Sequence, residues 1–425
     1  MTRVVVVGAS LAGIAASVRL AKAGHEVILV EASTRLGGRW TPEPGMAATP
    51  LPPVIGFLAP WRDLFKKSGR PLEAELARAG LELVSAPPAT HVFADGTRLT
   101  LPTDRGDQSR ALAQALGASA ARRWQAMLDR LDDVWQTLRH VGGVEYPFDP
   151  GRWRSRPAVL RALPSVADLS AGLDEPHLAE IVRSTAWRVG SDPVHTPGWV
   201  AVRLVLERTF GRWRLIRNGR PQPATELLDL LGERLRQRRV DVRTEVTVRL
   251  AGPGRVHTTQ DAIRTDAVVL ATDAWTAARL VGRRFGGTLL RVTPARAPAL
   301  ITRSHPASTD LGELAETITH TKAGPRVEYL RPGAAPTVLD HTRGAPDPGF
   351  GVAWRGVGTM SRLQPLRLLP GIYAASAASP AGNDPWAQIL SGALATYAVH
   401  QDLTGADIHP SNRSAELGRR RPARA

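Results

Sequence analysis

Val4-Val5-Val6-Val7-Gly8-Ala9-Ser10-Leu11-Ala12-Gly13 opens the chain, and the reading of this stretch decides the fold. Four consecutive β-branched residues suit a parallel strand buried on both faces. Ile14 to Ala23 is patterned as a helix, Gly24-His25-Glu26 ends it, and Val27-Ile28-Leu29-Val30 forms a second strand that stops at Glu31. In such a βαβ unit Gly8 permits the tight turn from strand to helix, and Gly13 lets the helix pack closely on the strand. The amides at the helix start, around Ser10, Leu11 and Ala12, then face a pyrophosphate. Glu31, followed by Ala32, is placed to accept hydrogen bonds from an adenosine ribose, and its charge disfavours a 2′-phosphate. Ser10 stands where the middle glycine of this fingerprint is usual. The turn tolerates it when the hydroxyl points away from the phosphate.

Working outward, Arg35-Leu36-Gly37-Gly38-Arg39-Trp40 follows the acid. A glycine pair admits close approach of a dinucleotide, and Arg39 is suited to neutralise a pyrophosphate. This motif resembles the second signature of the flavoproteins that include amine oxidases, protoporphyrinogen oxidases and phytoene desaturases. The resemblance implies FAD as cofactor and leaves Trp40 either near the flavin ring or in the core.

The remainder resembles the phytoene desaturase branch. Thr90–Pro102 reads as a hairpin turning at Asp95-Gly96, followed by a helical pattern from Ser109 to His140. Arg217–Ala224 leads into an amphipathic helix, Thr225–Arg238, and a strand, Val240–Val248. By resemblance the backbone of Val246 contacts adenine. Ile263–Thr272 resembles a buried strand that passes the cofactor at Ala271, with Asp273 where glycine is usual. Gly371–Ala377 and the helix from Pro385 resemble the final flavin signature, in which a helix amino terminus faces the ring. The amides of Gln388 and Ile389 are the expected contacts there.

The expected fold class is α/β: a Rossmann-like FAD-binding domain of glutathione reductase type with an interleaved α+β substrate domain. The flavin domain is read as 1–55, 218–282 and 365–408, the substrate domain as 56–217 and 283–364, and a basic tail as 409–425.

Three departures from the family pattern bear on function: Ser10, Asp273 and the end of the last strand. The family's last strand ends in Gly-Asp, whereas this chain has Ser376-Ala377. Losing a charge-assisted hydrogen bond costs roughly 1.5–3 kcal/mol. Two readings stay open. In one, FAD binds, with Ser376 substituting in part, and takes a hydride at N5 from a hydrophobic small molecule. In the other, the scaffold serves a non-redox isomerase or cyclase, or a partner subunit, with altered or lost use of FAD.

Composition narrows the chemistry. The 425 residues contain no cysteine, which removes disulfides, thiolate metal sites and a thiol nucleophile and suits a reducing cytoplasm. The histidines lack ligand spacings, so no metal site is expected. No catalytic triad is apparent and no catalytic residue is named; His195, Asp340, His341 and Glu328 are candidates in the substrate domain. The net charge of +16 comes almost wholly from scattered arginines, which reads as a solvated surface rather than a nucleic-acid site. Asp129, Asp132 and Asp133 read as a solvated helix face. Six tryptophans of the substrate domain (Trp124, Trp135, Trp153, Trp187, Trp199, Trp213) either line an apolar tunnel or fill the core. Phe57–Phe65 with Lys66 and Lys67 is a candidate for peripheral contact with a bilayer. The first strand starts at Arg3, and no signal peptide or membrane-spanning helix is expected.

Overall fold

The computed structural model describes residues 2–42, 48–156, 164–282, 292–302 and 313–410. β1 (Arg3–Val7) lies at the centre of a six-stranded sheet, with β2 (Glu26–Val30) and Asp241–Arg243 on one side. Ala267–Leu270, Ile372–Ala374 and Arg367–Leu369 lie on the other, and only the last strand runs antiparallel. The helix α1 (Leu11–Lys22) crosses from β1 to β2. The β-branched run buries both faces as its pattern demands. Val4 and Val6 pack with Ile14 and Ile389 on one side, while Val5 and Val7 pack with Val256, Ile263 and Ile372 on the other.

A second six-stranded sheet joins Ala89–Val92 and Arg98–Leu101 to Ala299–Thr302, Ala315–Thr321, Gly324–Leu330 and Thr337–Asp340. Its pairings are antiparallel except where Ala315–Thr321 meets Ala89–Val92. The helices Ala118–Val141, Pro176–Arg188 and Val202–Phe210 belong to a second core, rich in tryptophan.

Several elements differ from the sequence expectation. The helix read from Ser109 to His140 is two, Arg105–Leu116 and Ala118–Val141, broken at Gly117. The strand read over Val240–Val248 is interrupted: Asp241–Arg243 extends the parallel sheet, while Val248–Gly252 starts a separate three-stranded meander. Ile263 and Val268 are likewise not on one strand, because Thr265-Asp266 carries the chain from that meander into the central sheet. Residues 283–291 and the tail beyond 410, with its arginine run, lie outside the described residues.

The stretch offered to a bilayer is corrected by its burial. Phe57, Leu58, Trp61, Leu64 and Phe65 are all buried in the two main cores, so the helix Ala59–Ser68 has no apolar face left to lay on a membrane. Among the described residues no helix is long and apolar enough to cross one. Trp124, Trp135, Trp153 and Trp199 fill core positions, with Trp153, Trp199 and Trp354 stacked edge to face at 5.2 and 5.7 Å. Asp129 is bound to Arg105 and Arg208 at 2.8 and 3.0 Å.

Candidate dinucleotide site and its charged chamber

At the turn from β1 to α1 two positions leave no room for a side chain. Gly8 has φ +99°, and a Cβ there would come within 2.7 Å of the Ala271 carbonyl oxygen. A Cβ on Gly13 would lie 2.0 Å from the Gly8 carbonyl oxygen. Ser10 resolves its own departure. Its hydroxyl donates to the Ala271 carbonyl at 2.8 Å and accepts from the Gly13 amide at 3.3 Å. The side chain therefore caps α1 and faces the sheet, not the outer rim of the turn. The Leu11 and Ala12 side chains are fully buried, while their amides belong to the first helical turn, which lacks preceding carbonyls.

Glu31 closes the other side of the cradle. One carboxylate oxygen accepts from the Ala9 amide at 2.6 Å and the other from the Ser33 amide at 2.8 Å. Ala32 is exposed beside it. The glycine pair lies along the same turn, because the Gly37 amide donates to the Ala9 carbonyl at 2.8 Å and Ser10 and Gly37 form a parallel bridge. Residues separated by more than 25 positions thus share one rim, and the donor set fits the ADP half of a dinucleotide.

Elsewhere the structure revises the expected contacts. Arg39 is committed to Asp347 by an ion pair and lies 4.7 Å above the Phe350 ring, so its charge ties the turn to the second sheet's loops. Burial holds its pKa below the usual guanidinium value, opposed by Asp347, and its Nε is buried with no partner among the described residues. The Val246 amide donates to the Glu31 carbonyl at 3.0 Å. Val246 is therefore brought to the adenosine corner, but that N–H is not free for adenine. The Ala271 carbonyl is occupied by Ser10. Asp273 replaces glycine for a local reason: its carboxylate accepts from the Thr276 amide at 2.8 Å and caps the helix Ala274–Leu280.

The helix Pro385–Thr404 begins at a proline, which corrects the expectation for Gln388 and Ile389. The Gln388 amide donates to the Asp384 carbonyl at 3.0 Å, and Ile389 is a turn further in and fully buried. With Pro385 lacking an N–H, the amides at the helix mouth are those of Trp386 and Ala387.

Ser376 follows the strand Ile372–Ala374 and is buried. Its hydroxyl bonds Gln364 and accepts from the Ala378 amide at 3.1 Å, while the Gln364 Nε2 is buried without a partner. Ser376 borders a cavity of about 710 Å³ whose walls include Phe148, Trp153, Met360, Leu363 and Leu394. The site thus lies at the carboxyl ends of parallel strands, where open α/β sheets bind ligands.

At the mouth of the last helix stands a cluster that no local pattern announces. Arg188, Arg203, Glu207, Arg212, Glu316, Tyr329 and Asp384 line a cavity of about 90 Å³. Arg188, Arg203, Tyr329 and Asp384 also border an adjoining space of about 60 Å³ with Trp40, His341 and Phe350. Asp384 pairs with Arg203 at 2.6 Å, and Arg212 pairs with Glu207 at 3.2 Å and with Glu316. Burial would raise the Glu207 pKa, but Arg212, Arg188 and Arg203 outweigh it and hold it low. Burial, then Glu316, raises Tyr329, so its hydroxyl stays protonated. Burial, then Arg188 and Arg203, pushes His341 down to about 3, leaving a neutral ring whose Nδ1 meets the Trp187 carbonyl at 3.1 Å.

Of the other candidates, Asp340 is fully buried and bonded to Thr342 and Arg326, a structural role in its strand. Glu328 lies on the strand Gly324–Leu330, and His195 sits in an exposed loop 3.6 Å from Asp192. Among the described residues no group of histidines and acids is arranged to hold a metal ion. The charged chamber escaped sequence reasoning because its members come from separate helices and strands. Only Arg203 and Glu207, one helical turn apart, carried a local signal.

The profile of the FAD dependent oxidoreductase family matches residues 3–78, which span the cradle. Beyond that segment the chain is similar to curated carotenoid desaturases. It is 31% identical over 230 residues to hydroxyneurosporene desaturase of Cereibacter sphaeroides, covering 50% of this chain and 44% of that one. It is 30% identical over 299 residues to phytoene dehydrogenase of Streptomyces griseus, covering 66% and 56%. The chain thus spans about half the length of the curated relatives it matches. In fold it is similar to cyclohexylamine oxidase from Brevibacterium oxydans IH-35A, with a TM-score of 0.63, 16% identity, and 95% and 99% of the two chains covered. The cradle of Gly8, Ser10, Gly13 and Glu31 lies within the segment that matches the FAD dependent oxidoreductase family, and its donor set fits FAD.

Proposed function

We propose that this protein is an FAD-dependent oxidoreductase of the desaturase, dehydrogenase or oxidase type, acting on a hydrophobic small molecule. The observation that carries the reading is the inward turn of Ser10 onto Ala271, which keeps the rim of the cradle open to a pyrophosphate. Ser10, Leu11 and Ala12 would hold the diphosphate by backbone amides, and Glu31 the ribose. Gly37 and Gly38 would lie along the dinucleotide, with Ser376 towards the ribityl chain.

FAD held there supplies a hydride acceptor at N5. The chain's own part is binding, orientation and exclusion of water. The cavity beside Ser376, lined by Phe148, Trp153, Met360 and Leu394, is large enough for the apolar body of a small-molecule substrate. His341, neutral and buried, holds no proton to donate from Nε2 while its Nδ1 donates to Trp187.

The non-redox reading is not favoured. Two of the three departures that motivate it, Ser10 and Asp273, are satisfied by local hydrogen bonds that leave the cradle intact. Purified protein should carry a flavin absorption spectrum that bleaches under anaerobic reductant. A colourless preparation that takes up no added FAD would refute the proposal.

A further inference from the structure

Arg188 is the cation left over in the chamber at the mouth of the last helix. It ends the helix Pro176–Arg188 and borders both small cavities. The three acids there are already claimed: Asp384 by Arg203, and Glu207 and Glu316 by Arg212. Arg188 has no hydrogen bond or ion pair with any of the described residues. Burial opposes its charge, while the field of Glu207, Glu316 and Asp384 maintains it. Arg203 Nη1 and Arg212 Nε are buried without partners, against one unpartnered acceptor in the chamber, Glu316 Oε1. The protonated Tyr329 hydroxyl borders the same space.

Unspent donors therefore outnumber acceptors around this space. The half-buried Arg188 guanidinium has no acceptor of its own there, and planar carboxylates match its fork in two parallel hydrogen bonds. At about 90 Å³ the chamber has the volume of roughly three water molecules, enough for a carboxylate group but not for the body of a substrate. We propose that the substrate of this enzyme is a carboxylic acid with an apolar body, its carboxylate held by Arg188 with support from Arg203 and Tyr329. This names the substrate class for the oxidoreductase proposed above and rests on that reading for its catalytic meaning; the binding itself does not require turnover.

The test is calorimetry on the purified full-length holoprotein with decanoate, decanol and decylamine, which share an apolar body and differ in head group. Decanoate should bind at least tenfold more tightly than either of the others. Arg188→Met should remove that preference, a loss of roughly 10- to 100-fold, and Arg188→Lys should restore part of it. Equal binding of decanoate and decanol by the wild type overturns the proposal, even should the variants fail to fold. So does a preference that survives in Arg188→Met, including the case in which that variant loses FAD because Arg188 serves the cofactor. A protein that holds no FAD yet prefers decanoate refutes the oxidoreductase reading and leaves the carboxylate site standing.

Discussion

The Ser10 hydroxyl donates to the Ala271 carbonyl across 2.8 Å, and the same oxygen accepts from the Gly13 amide. One side chain thus caps α1 and pins it to the neighbouring strand of the central sheet. Ser10→Ala removes both bonds and should cost about 1 kcal/mol of stability, read as a lower denaturant midpoint. Ser10→Gly should cost only a few tenths of that scale and retain FAD to the same degree as the wild type.

Gly13 meets a harder limit. A methyl group there would sit 2.0 Å from the Gly8 carbonyl oxygen and 2.9 Å from the Ala271 Cβ, neither of which can step aside without moving β1 or its neighbour. Gly13→Ala should therefore give protein that is insoluble or free of flavin. Soluble expression and the ratio of flavin to protein absorbance report the result.

Glu31 is the acceptor for two backbone amides and the group offered to a ribose. Glu31→Gln removes the charge at nearly constant shape. Weakening charge-assisted hydrogen bonds of about 1.5–3 kcal/mol should lower FAD affinity roughly 10- to 100-fold. Fluorescence titration of apoprotein with FAD gives the number; an unchanged affinity would show that the ribose is held elsewhere.

Ser376 invites a gain-of-affinity test. Gln364 Nε2 is buried and unpartnered, so a carboxylate at position 376 would find a donor once the amide of Gln364 is turned over. Ser376→Asp should tighten FAD binding relative to the wild type, again by titration. Weaker binding would indicate that the serine and its Gln364 contact are what the cofactor requires.

Acid should destabilise the fold through its buried histidines. His320 is held at about 4, by burial and then by Arg188, and His341 at about 3, against an ordinary 6.5. Both folded values lie below the unfolded value. As pH falls through 6.5, the unfolded chain takes up protons that the folded one refuses. Stability then drops by about 1.4 kcal/mol per pH unit for each ring until its folded pKa is reached. Denaturant midpoints should therefore fall from pH 6.5 towards 4, and His341→Asn should remove one proton's worth of slope.

The departures from the flavoprotein pattern show where sequence stops and packing begins. Ser10 and Asp273 looked like losses of cofactor contact when read as missing glycines. Each proves to satisfy a helix amino terminus through a bond to a residue three positions on, which no fingerprint position records. Gln388 and Ile389 were displaced by the reverse effect. The signature locates the helix correctly, but whether an amide is free depends on the exact residue at which the first turn begins, here Pro385. Arg39 was legible as a cation beside a glycine pair. Its commitment to Asp347 was not, because the partner is 308 residues away.

What the sequence by itself determined is the βαβ cradle. Its Val4–Val7 run, its glycines and Glu31 act over short separations, where strand, turn and helix preferences need no distant partner. The tertiary structure alone decided the chamber of Arg188, Arg203, Arg212, Tyr329 and Asp384. Side chains on separate elements acquire a shared cavity, and a charge acquires or lacks a counter-ion, only when those elements pack.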